Sequence, residues 1–340
     1  MIKDKGILEF AKTILSIDSP SGFTHNIITF LEHECQTRGL NYTKNNKGNL
    51  IISIKGSTSY HIGLSAHVDT LGAMVRSING DGTLTFTPIG GPILPTYDGE
   101  YCKVYTRDGK VIHGTFLSNA PAVHVFDNAR TLPRDAQNMH IRLDEMVKSK
   151  DDTKKLGVSS GDFIAVDPKT TITDNGFIKS RFLDDKMSVA ILFGLIDYFI
   201  EHKITPRCNL SLIISTYEEV GHGASHVPDM DEMISVDMGC IGLDLNCTEY
   251  DVSICAKDSS GPYDYDITSR LIELAKKNNI NHAVDIYPFY SSDVSAALHG
   301  GNNIKGGLIG PGVGASHGME RTHYQAVMNT LHLLVAYLTE

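Results

Sequence analysis

The segment His61-Ile-Gly-Leu-Ser-Ala-His-Val-Asp69 is a short apolar run that ends in two residue types able to bind a metal. A nearly continuous apolar run of this length predicts a strand buried on both faces, as in the parallel sheets of α/β proteins. In open parallel sheets, ligands bind beyond the carboxyl ends of the strands. We therefore expect His67 and Asp69 to lie at the functional edge of such a sheet.

Two later apolar runs end in the same way. Leu210-Ser-Leu-Ile-Ile-Ser-Thr-Tyr217 is followed by Glu218 and Glu219, and Met233-Ile-Ser-Val236 is followed by Asp237. Both runs predict buried strands. Their carboxylates should therefore lie at the same edge of the sheet as His67.

Helical spacing of apolar residues predicts the elements between these strands. The helices are expected over 7–17, 25–38, 188–200, 266–278, 292–299 and 323–338. Helices that alternate with apolar strands predict an α/β fold, with a mostly parallel sheet covered by helices on both faces. The alternation occurs before residue 70 and after residue 175, so we assign 1–70 and 175–340 to one discontinuous domain.

Residues 71–174 have a different pattern. Thr83-Leu-Thr-Phe-Thr87 alternates with period two, as do stretches within 101–106 and 110–117, and residues 119–160 are polar and loop-like. Period-two alternation is typical of half-buried strands. We therefore predict a β-rich domain inserted at 71–174.

Composition excludes several classes of partner. The 340 residues are 41% hydrophobic and 21% charged, with a formal net charge of −10. An acidic chain has no general electrostatic attraction to nucleic acid or anionic lipid, and no apolar run approaches the roughly 20 residues of a membrane span. No signal-peptide apolar stretch follows Met1–Gly6, and the six cysteines lack CxxC spacing. We expect free thiols, a cytoplasmic protein, and neither nucleic acid nor a membrane as partner.

The residues with metal-binding potential are unremarkable when taken singly. His67 could be a core histidine, Asp184-Asp185 a helix N-cap, Glu218-Glu219 a solvated strand end, and His323 a surface residue. Together they are harder to explain, because carboxylates at the ends of buried strands are costly to desolvate unless a cation compensates them. Two histidines and several carboxylates suit a pair of divalent first-row metals.

These stretches, in this order, resemble the co-catalytic metallopeptidases of the glutamyl aminopeptidase family, which includes the tetrahedral aminopeptidases. Ser19-Pro-Ser-Gly22 and Ala315-Ser-His-Gly-Met-Glu-Arg-Thr-His323 fit the resemblance as well. It spans nearly the whole chain. The long separation between His67 and Asp184 is typical of this family, which has a β-rich insertion between the two positions. Related zinc peptidases lack that insertion, and their equivalent residues lie closer together in the sequence.

The resemblance implies a zinc-peptidase-like fold and a role for each site residue. His67 and Asp237 would bind the first metal ion, Glu219 and His323 the second, and Asp184 both. Asp69 would orient the His67 imidazole, and Glu218 would be the general base. The family also places a cis peptide after the bridging aspartate, here between Asp184 and Asp185.

The implied chemistry is hydrolysis of peptides from their N-terminus. Two divalent cations lower the pKa of a bound water toward about 7, and a glutamate can then transfer its proton to the leaving amine. Zinc or cobalt is expected, with manganese as an alternative. The resemblance also implies self-association, as dimers through the insertion and often as dodecamers.

Two other activities remain as alternatives from the sequence. A deacylase of N-acyl amino acids could use the same metal site. A metal-dependent glycanase is disfavoured, since the chain has no tryptophan to stack against sugars.

Several other residues and segments of the sequence are assigned no ligand role. His222 and His226 are given structural or substrate-pocket roles, and His317 could reach the pocket. Asp293 is expected at a helix N-terminus, where it could also help to shape the wall of the metal site. The run Gly300–Gly307 is expected to be a loop, since it lacks the strand–loop–helix context of a phosphate cradle. Lys186, Lys257 and Arg321 are candidates for a cation that would recognise an acidic substrate.

Overall fold

The computed structural model describes residues 5–340, and residues 1–4, part of the segment judged for a signal peptide, lie outside the described residues. Its helices are α1 (Lys5–Leu15), α2 (His25–Thr37), α3 (Lys150–Lys155), α4 (Leu183–His202), α5 (Tyr265–Lys277), α6 (Asp293–His299) and α7 (Tyr324–Thr339). Two short 3₁₀ helices cover Leu94–Tyr97 and Glu218–Val220.

The strands of the same residues are, in chain order, β1 (Asn41–Lys44), β2 (Leu50–Ile54), β3 (His61–His67), β4 (Gly72–Ile78), β5 (Leu84–Ile89), β6 (Tyr101–Tyr105), β7 (Val111–Ser118), β8 (Met139–Leu143), β9 (Phe163–Val166), β10 (Thr171–Ile172), β11 (Phe177–Ser180), β12 (Asn209–Ser215), β13 (Glu232–Val236), β14 (Gly239–Cys240), β15 (Val252–Asp258), β16 (Gly261–Pro262), β17 (His282–Ile286), β18 (Lys305–Val313) and β19 (Glu320–His323).

The main sheet has ten strands, and its centre is parallel. The strand order is β1-β2-β12-β3-β13-β18-β15-β16, with β14 beside β18 and β17 beside β15. Strands β12, β3, β13 and β18 run parallel to one another, whereas β2 and β15 flank them in the antiparallel sense. The predicted α/β class is confirmed, and the sheet is mixed toward its edges.

Helices cover both faces of this sheet. On one face, Val327 and Leu331 of α7 belong to the same buried core as Ile234 of β13. On the other face, Val294 and Ala297 of α6 pack with Met233. Helix α4 is apolar around most of its circumference and is buried from Leu183 to Ile196, which explains its continuously hydrophobic sequence.

A closed barrel of six antiparallel strands forms a second, β-rich unit. Its strand order is β4-β5-β8-β7-β6-β9, and all six strands lie within the predicted insertion at 71–174. Phe86 and Phe116 pack edge to face inside it, with their ring centroids 5.0 Å apart. A small sheet, β10-β11-β19, lies outside the barrel and the main sheet.

The expectation of a loop over Gly300–Gly307 is wrong in its second half. Residues from Lys305 onward form β18, a central and almost fully buried strand. Its glycines allow close packing: a Cβ at Gly310 would lie only 1.8 Å from the carbonyl oxygen of Asp237, and one at Gly307 would lie 2.7 Å from Ile267. Glycine is scarce in most strands, so a glycine-rich run predicts a loop unless, as here, close packing against neighbouring backbone requires it.

All six cysteines are free, and all but Cys240 are buried, as the sequence predicted. Across residues 5–340, no helix combines the length and the apolar character that crossing a bilayer requires.

The close approach at Gly310 gives a test of the packing. Gly310→Ala should lower the melting temperature by at least about 2 °C, since overpacking costs about 1–3 kcal/mol and each kcal/mol shifts Tm by about 2–4 °C. The measurement is thermal unfolding followed by circular dichroism. Gly80→Ala is the matched control, because nothing lies within 4 Å of its added Cβ. Equal melting temperatures for the two variants would contradict the packing described here.

Candidate metal centre

Three parallel strands end side by side at the site. In the register of the sheet, His67 at the end of β3 is paired with Ser215 at the end of β12. Asp237 directly follows β13, and Glu218 and Glu219 open the 3₁₀ helix shortly after β12. The sequence therefore located these residues correctly at the carboxyl edge of the sheet.

The fourth contribution comes from the beginning of α4. Asp184 and Asp185 lie in its first turn with non-helical backbone angles, and the peptide bond between them is cis. The backbone N–H of Asp184 donates to Glu320 Oε2 at 3.0 Å, and Asp185 Oδ2 accepts from the backbone N–H of His67 at 3.2 Å. Both aspartates are buried.

The side chains converge around the His67 imidazole. His67 Nε2 lies 3.0 Å from Asp184 Oδ1 and 3.6 Å from Glu218 Oε2. Two sets of three residues place one ligand atom each within 4.8 Å of one another. The first set is His67, Asp184 and Glu219, and the second is His67, Asp185 and Asp237.

Asp69 is at the centre of the supporting hydrogen bonds. Its carboxylate accepts from the backbone N–H groups of Glu218 at 3.1 Å and Glu219 at 3.3 Å, and also from the Ser21 hydroxyl. The His67 Nδ1 atom lies 2.9 Å from the backbone carbonyl oxygen of Asp69 and 3.6 Å from its carboxylate. Asp69 thus contacts the imidazole chiefly through its carbonyl group rather than its carboxylate.

The histidine that lies near Asp184 and Glu219 besides His67 is His317, whereas His323, the ligand that the resemblance implies, lies away from them. His317 Nε2 lies 3.6 Å from both Asp184 Oδ2 and Glu219 Oε2. His323 instead contacts the backbone oxygen of Asn175 at 2.8 Å through Nε2, and its Nδ1 accepts from the N–H of Gln325 at 3.1 Å. Both ring nitrogens of His323 are therefore occupied away from the site, where the ring packs against Phe177.

Local backbone geometry turns His317 toward the carboxylates. Its φ is +62°, a left-handed conformation that non-glycine residues adopt at a cost. Its backbone N–H donates to Glu320 Oε1 at 3.0 Å, and its Nδ1 lies 2.9 Å from the carbonyl oxygen of Gly91. Ile93 N–H donates to the His317 carbonyl at 3.0 Å, so the segment before the first 3₁₀ helix also holds the turn.

Two further carboxylates support the site through hydrogen bonds, and the sequence assigns neither of them a ligand role. Glu320 is buried and accepts from the backbone N–H groups of both Asp184 and His317, so it connects two parts of the site. Asp293 is also buried, and it accepts from the Ser215 hydroxyl at 2.7 Å and from the Ala224 N–H at 2.9 Å. Neither has a sequence signal beyond its position in a stretch already noted.

The electrostatics of this edge are dominated by buried negative charge. Within residues 5–340, Asp184, Asp185, Glu218, Glu219 and Asp237 form no ion pair with lysine or arginine. Burial and the charge of Asp184 raise the pKa of Asp237 to about 7. Burial likewise raises the pKa values of Asp185, Glu218 and Glu219 well above their ordinary range. No lysine or arginine of the described residues therefore compensates the charge of these carboxylates.

Asp184 and His317 instead have pKa values that favour their charged forms. Burial would raise the pKa of Asp184, but the imidazoles of His317 and His67 outweigh it and hold that pKa below its ordinary value. Burial would lower the pKa of His317, but Asp184 and Glu219 raise it to about 10. Asp184 is therefore the carboxylate that the histidines hold most firmly in its ionised form.

The donor set fits divalent cations. Glu219 Oε1 and Asp185 Oδ1 are buried and have no hydrogen-bond partner, which is costly for a carboxylate oxygen unless a cation contacts it. Carboxylate oxygen and imidazole nitrogen are ligands of zinc, cobalt and manganese. A cleft of about 830 Å³ opens onto Asp184, Glu219, Asp237 and His317, so a substrate could reach this edge. Neither His222 nor His226 belongs to the two ligand sets.

Comparison with known proteins identifies a family and a relative that match most of the chain. Residues 48–333 match the model of the M42 glutamyl aminopeptidase family. The chain is 45% identical to the Bacillus subtilis (strain 168) protein named "Putative aminopeptidase YhfE", over 97% of this chain and 96% of that one.

Solved structures share the fold. A TET aminopeptidase from the marine sediment archaeon Thaumarchaeota archaeon SCGC AB-539-E09 superposes with a TM-score of 0.89 at 20% identity, covering 99% of this chain and 96% of that one. The TET1 peptidase of Pyrococcus horikoshii gives a TM-score of 0.85 at 22% identity, with coverages of 98% and 99%. On the strength of the family match and of the identity to YhfE over nearly its full length, the chain belongs to the M42 glutamyl aminopeptidase family of metal-dependent peptidases.

Proposed function

We propose that this protein is a dinuclear metallo-aminopeptidase that removes N-terminal residues from peptides. The observation that carries the proposal is the convergence of five carboxylates and two imidazoles at one edge of the sheet, with no lysine or arginine paired to those carboxylates within residues 5–340. Membership of a peptidase family supports the same chemistry.

The two ligand sets, together with the position of His317 beside Asp184 and Glu219, suggest how two cations would be held. His67 and Asp237 would bind the first, His317 and Glu219 the second, and Asp184 would contact both, since its two oxygens face different histidines. Zinc or cobalt suits these donors, with manganese as the alternative. When bound, such a pair polarises a peptide carbonyl and makes water a stronger acid.

Glu218 is the proposed general base. Its carboxylate lines the cleft, and its Oε2 atom lies 3.6 Å from His67 Nε2. Its backbone N–H is fixed by the Asp69 carboxylate, which holds the start of the 3₁₀ helix. Glu218 would take a proton from water at Oε2 and pass it to the leaving amine, as positioned carboxylates do in general acid–base catalysis. Asp69 and Glu320 would act as positioning residues.

We also propose that the protein self-associates through its inserted domain at 71–174 and acts in the cytoplasm. Several apolar side chains of that domain are exposed, among them Tyr101 (66%) on β6, and Val125 (75%) and Met146 (99%) in the segments before and after β8. Exposed apolar groups of this kind favour protein–protein contact. The Pyrococcus horikoshii TET1 peptidase assembles into a tetrahedron or an octahedral shell, which supports a closed assembly here.

Removing the proposed base should separate chemistry from metal binding. Glu218→Gln should lower kcat by at least about 10²-fold and keep its metal ions, because the amide cannot accept the proton. Glu219→Gln is the matched control, and it should lose metal because it removes a proposed ligand. The measurements are release of free amino acid from unblocked peptides and elemental analysis. Full activity in Glu218→Gln would reassign the base, and hydrolysis confined to N-acylated amino acids would favour a deacylase.

The choice between the two histidines can be tested by one pair of variants. His317→Asn should lower the metal content from about two ions per chain to about one, whereas His323→Asn should keep both. Asparagine tolerates the left-handed backbone of position 317 and can still accept a hydrogen bond at position 323. Elemental analysis after dialysis measures the content. Loss of metal only in His323→Asn would contradict the assignment.

The assembly proposal predicts a molar mass of at least a dimer in light scattering coupled to size exclusion. Met146→Glu should reduce that mass, because association would bury the new charge in the proposed apolar contact between subunits, which is costly. Leu243→Glu, fully exposed in the other domain, is the control. A wild-type monomer at micromolar concentration would argue against the proposal.

A further inference from the structure

The cleft above the carboxylates has an apolar wall. Met238 and Cys240 follow Asp237 on one side, together with Tyr290, and Ile93 faces the cleft from the segment that precedes the first 3₁₀ helix. Phe289 also lines the cleft and is 96% exposed, and Ile93 is 46% exposed. Large apolar groups left open to solvent beside a reactive centre are typical of a substrate-binding surface.

The wall is fixed by hydrogen bonds and ring packing. The Tyr290 hydroxyl donates to the carbonyl oxygen of Met238 at 3.1 Å, and the Tyr290 ring packs on Tyr287 at 5.1 Å between centroids. Met238 is in turn only one residue from Asp237. The apolar surface is therefore held at a set position relative to the proposed metal ligands.

Within residues 5–340, no lysine or arginine lines this cleft, and the histidine that does, His317, is assigned to a metal ion. The three cations considered from the sequence are engaged elsewhere. Lys186 Nζ donates to the carbonyl oxygen of Ile17 at 2.6 Å in the interior, and Lys257 Nζ donates to that of Asp258 at 2.8 Å. Arg321 forms a two-pronged ion pair with Glu249, at 2.7 and 2.9 Å. An acidic substrate side chain would therefore enter the cleft without a partner.

A basic side chain on the substrate would also find no partner of opposite charge in the cleft. The carboxylates that line the cleft are Asp184, Glu218, Glu219 and Asp237, and all four are assigned to metal binding or proton transfer. With two divalent cations bound, their four negative charges are balanced. A lysine or arginine side chain would then be desolvated without a free carboxylate, which costs free energy.

We propose that this cleft selects peptides whose N-terminal residue carries an uncharged apolar side chain, such as leucine, methionine or phenylalanine, and that Ile93, Phe289 and Tyr290 are the selecting contacts. The inference builds on the proposed aminopeptidase function and specifies its substrate class. The proposed apolar preference differs from the preference for acidic N-terminal residues that the family name would suggest.

The test is a panel of aminoacyl chromogenic amides of Leu, Phe, Ala, Glu and Lys, assayed with the metal-loaded enzyme. We expect kcat/KM for Leu and Phe to exceed the values for Glu and Lys by at least about 10²-fold, because a charged side chain finds no partner in the cleft. Equal or faster release of Glu or Lys would overturn the preference alone. Release of none of the five would overturn the aminopeptidase proposal as well.

Variants of the wall identify the residues responsible. Ile93→Lys should raise the Glu-to-Leu ratio of kcat/KM by at least about 10-fold, since it supplies the missing cation. Ile286→Lys is the matched control, because Ile286 is 56% exposed and lies outside the cleft lining, and it should leave the ratio unchanged.

A truncation provides an independent measurement that adds no charge. Phe289→Ala should lower kcat/KM for Leu and Phe by about 5- to 10-fold while sparing Ala, as expected when apolar contact with a large side chain is lost. An unchanged Glu-to-Leu ratio in Ile93→Lys, or an equal loss for Ala in Phe289→Ala, would overturn the assignment of these residues.

Discussion

Repulsion among carboxylates buried at one edge of the sheet is the constraint on which the rest of the structure depends. Asp184, Asp185, Glu219 and Asp237 place oxygens within a few ångströms of the same imidazole, and burial raises the pKa values of most of them. A cluster of this kind is stable as charged groups only when cations compensate it. Metal binding and the ordering of this edge should therefore be coupled, as in other metalloproteins.

The proposed metal ligands come from several rigid elements, which the fold brings together at one edge of the sheet. Parallel strands supply His67 and Asp237, and the start of a buried helix supplies Asp184. Hydrogen bonds from backbone N–H groups then fix the approach angles, through Asp69 on one side and Glu320 on the other. Glycine in β18 lets that strand pass directly against the backbone of Asp237, so the core can be compact just beneath the site.

Much of this could be predicted from the sequence, because buried parallel strands and their terminal carboxylates have clear local patterns. The position of His317, rather than His323, beside the carboxylates could not, since it depends on a left-handed turn and on a hydrogen bond to Glu320 that no spacing reveals. The start of strand β18 could not be predicted either, because its glycines are required by close packing against neighbouring elements that the local sequence does not show. The β-rich character of the insertion was evident, but closure into a barrel depends on pairings between distant strands, such as β4 with β9.

The central claim, that side chains of this edge hold two neighbouring cations, is tested most directly by anomalous diffraction at the zinc edge from crystals of the zinc-loaded protein. The account predicts two peaks about 3.5–4 Å apart. Asp184 should contact both, with His67 beside one and His317 beside the other. A single peak, or density bound by His323 instead of His317, would contradict it.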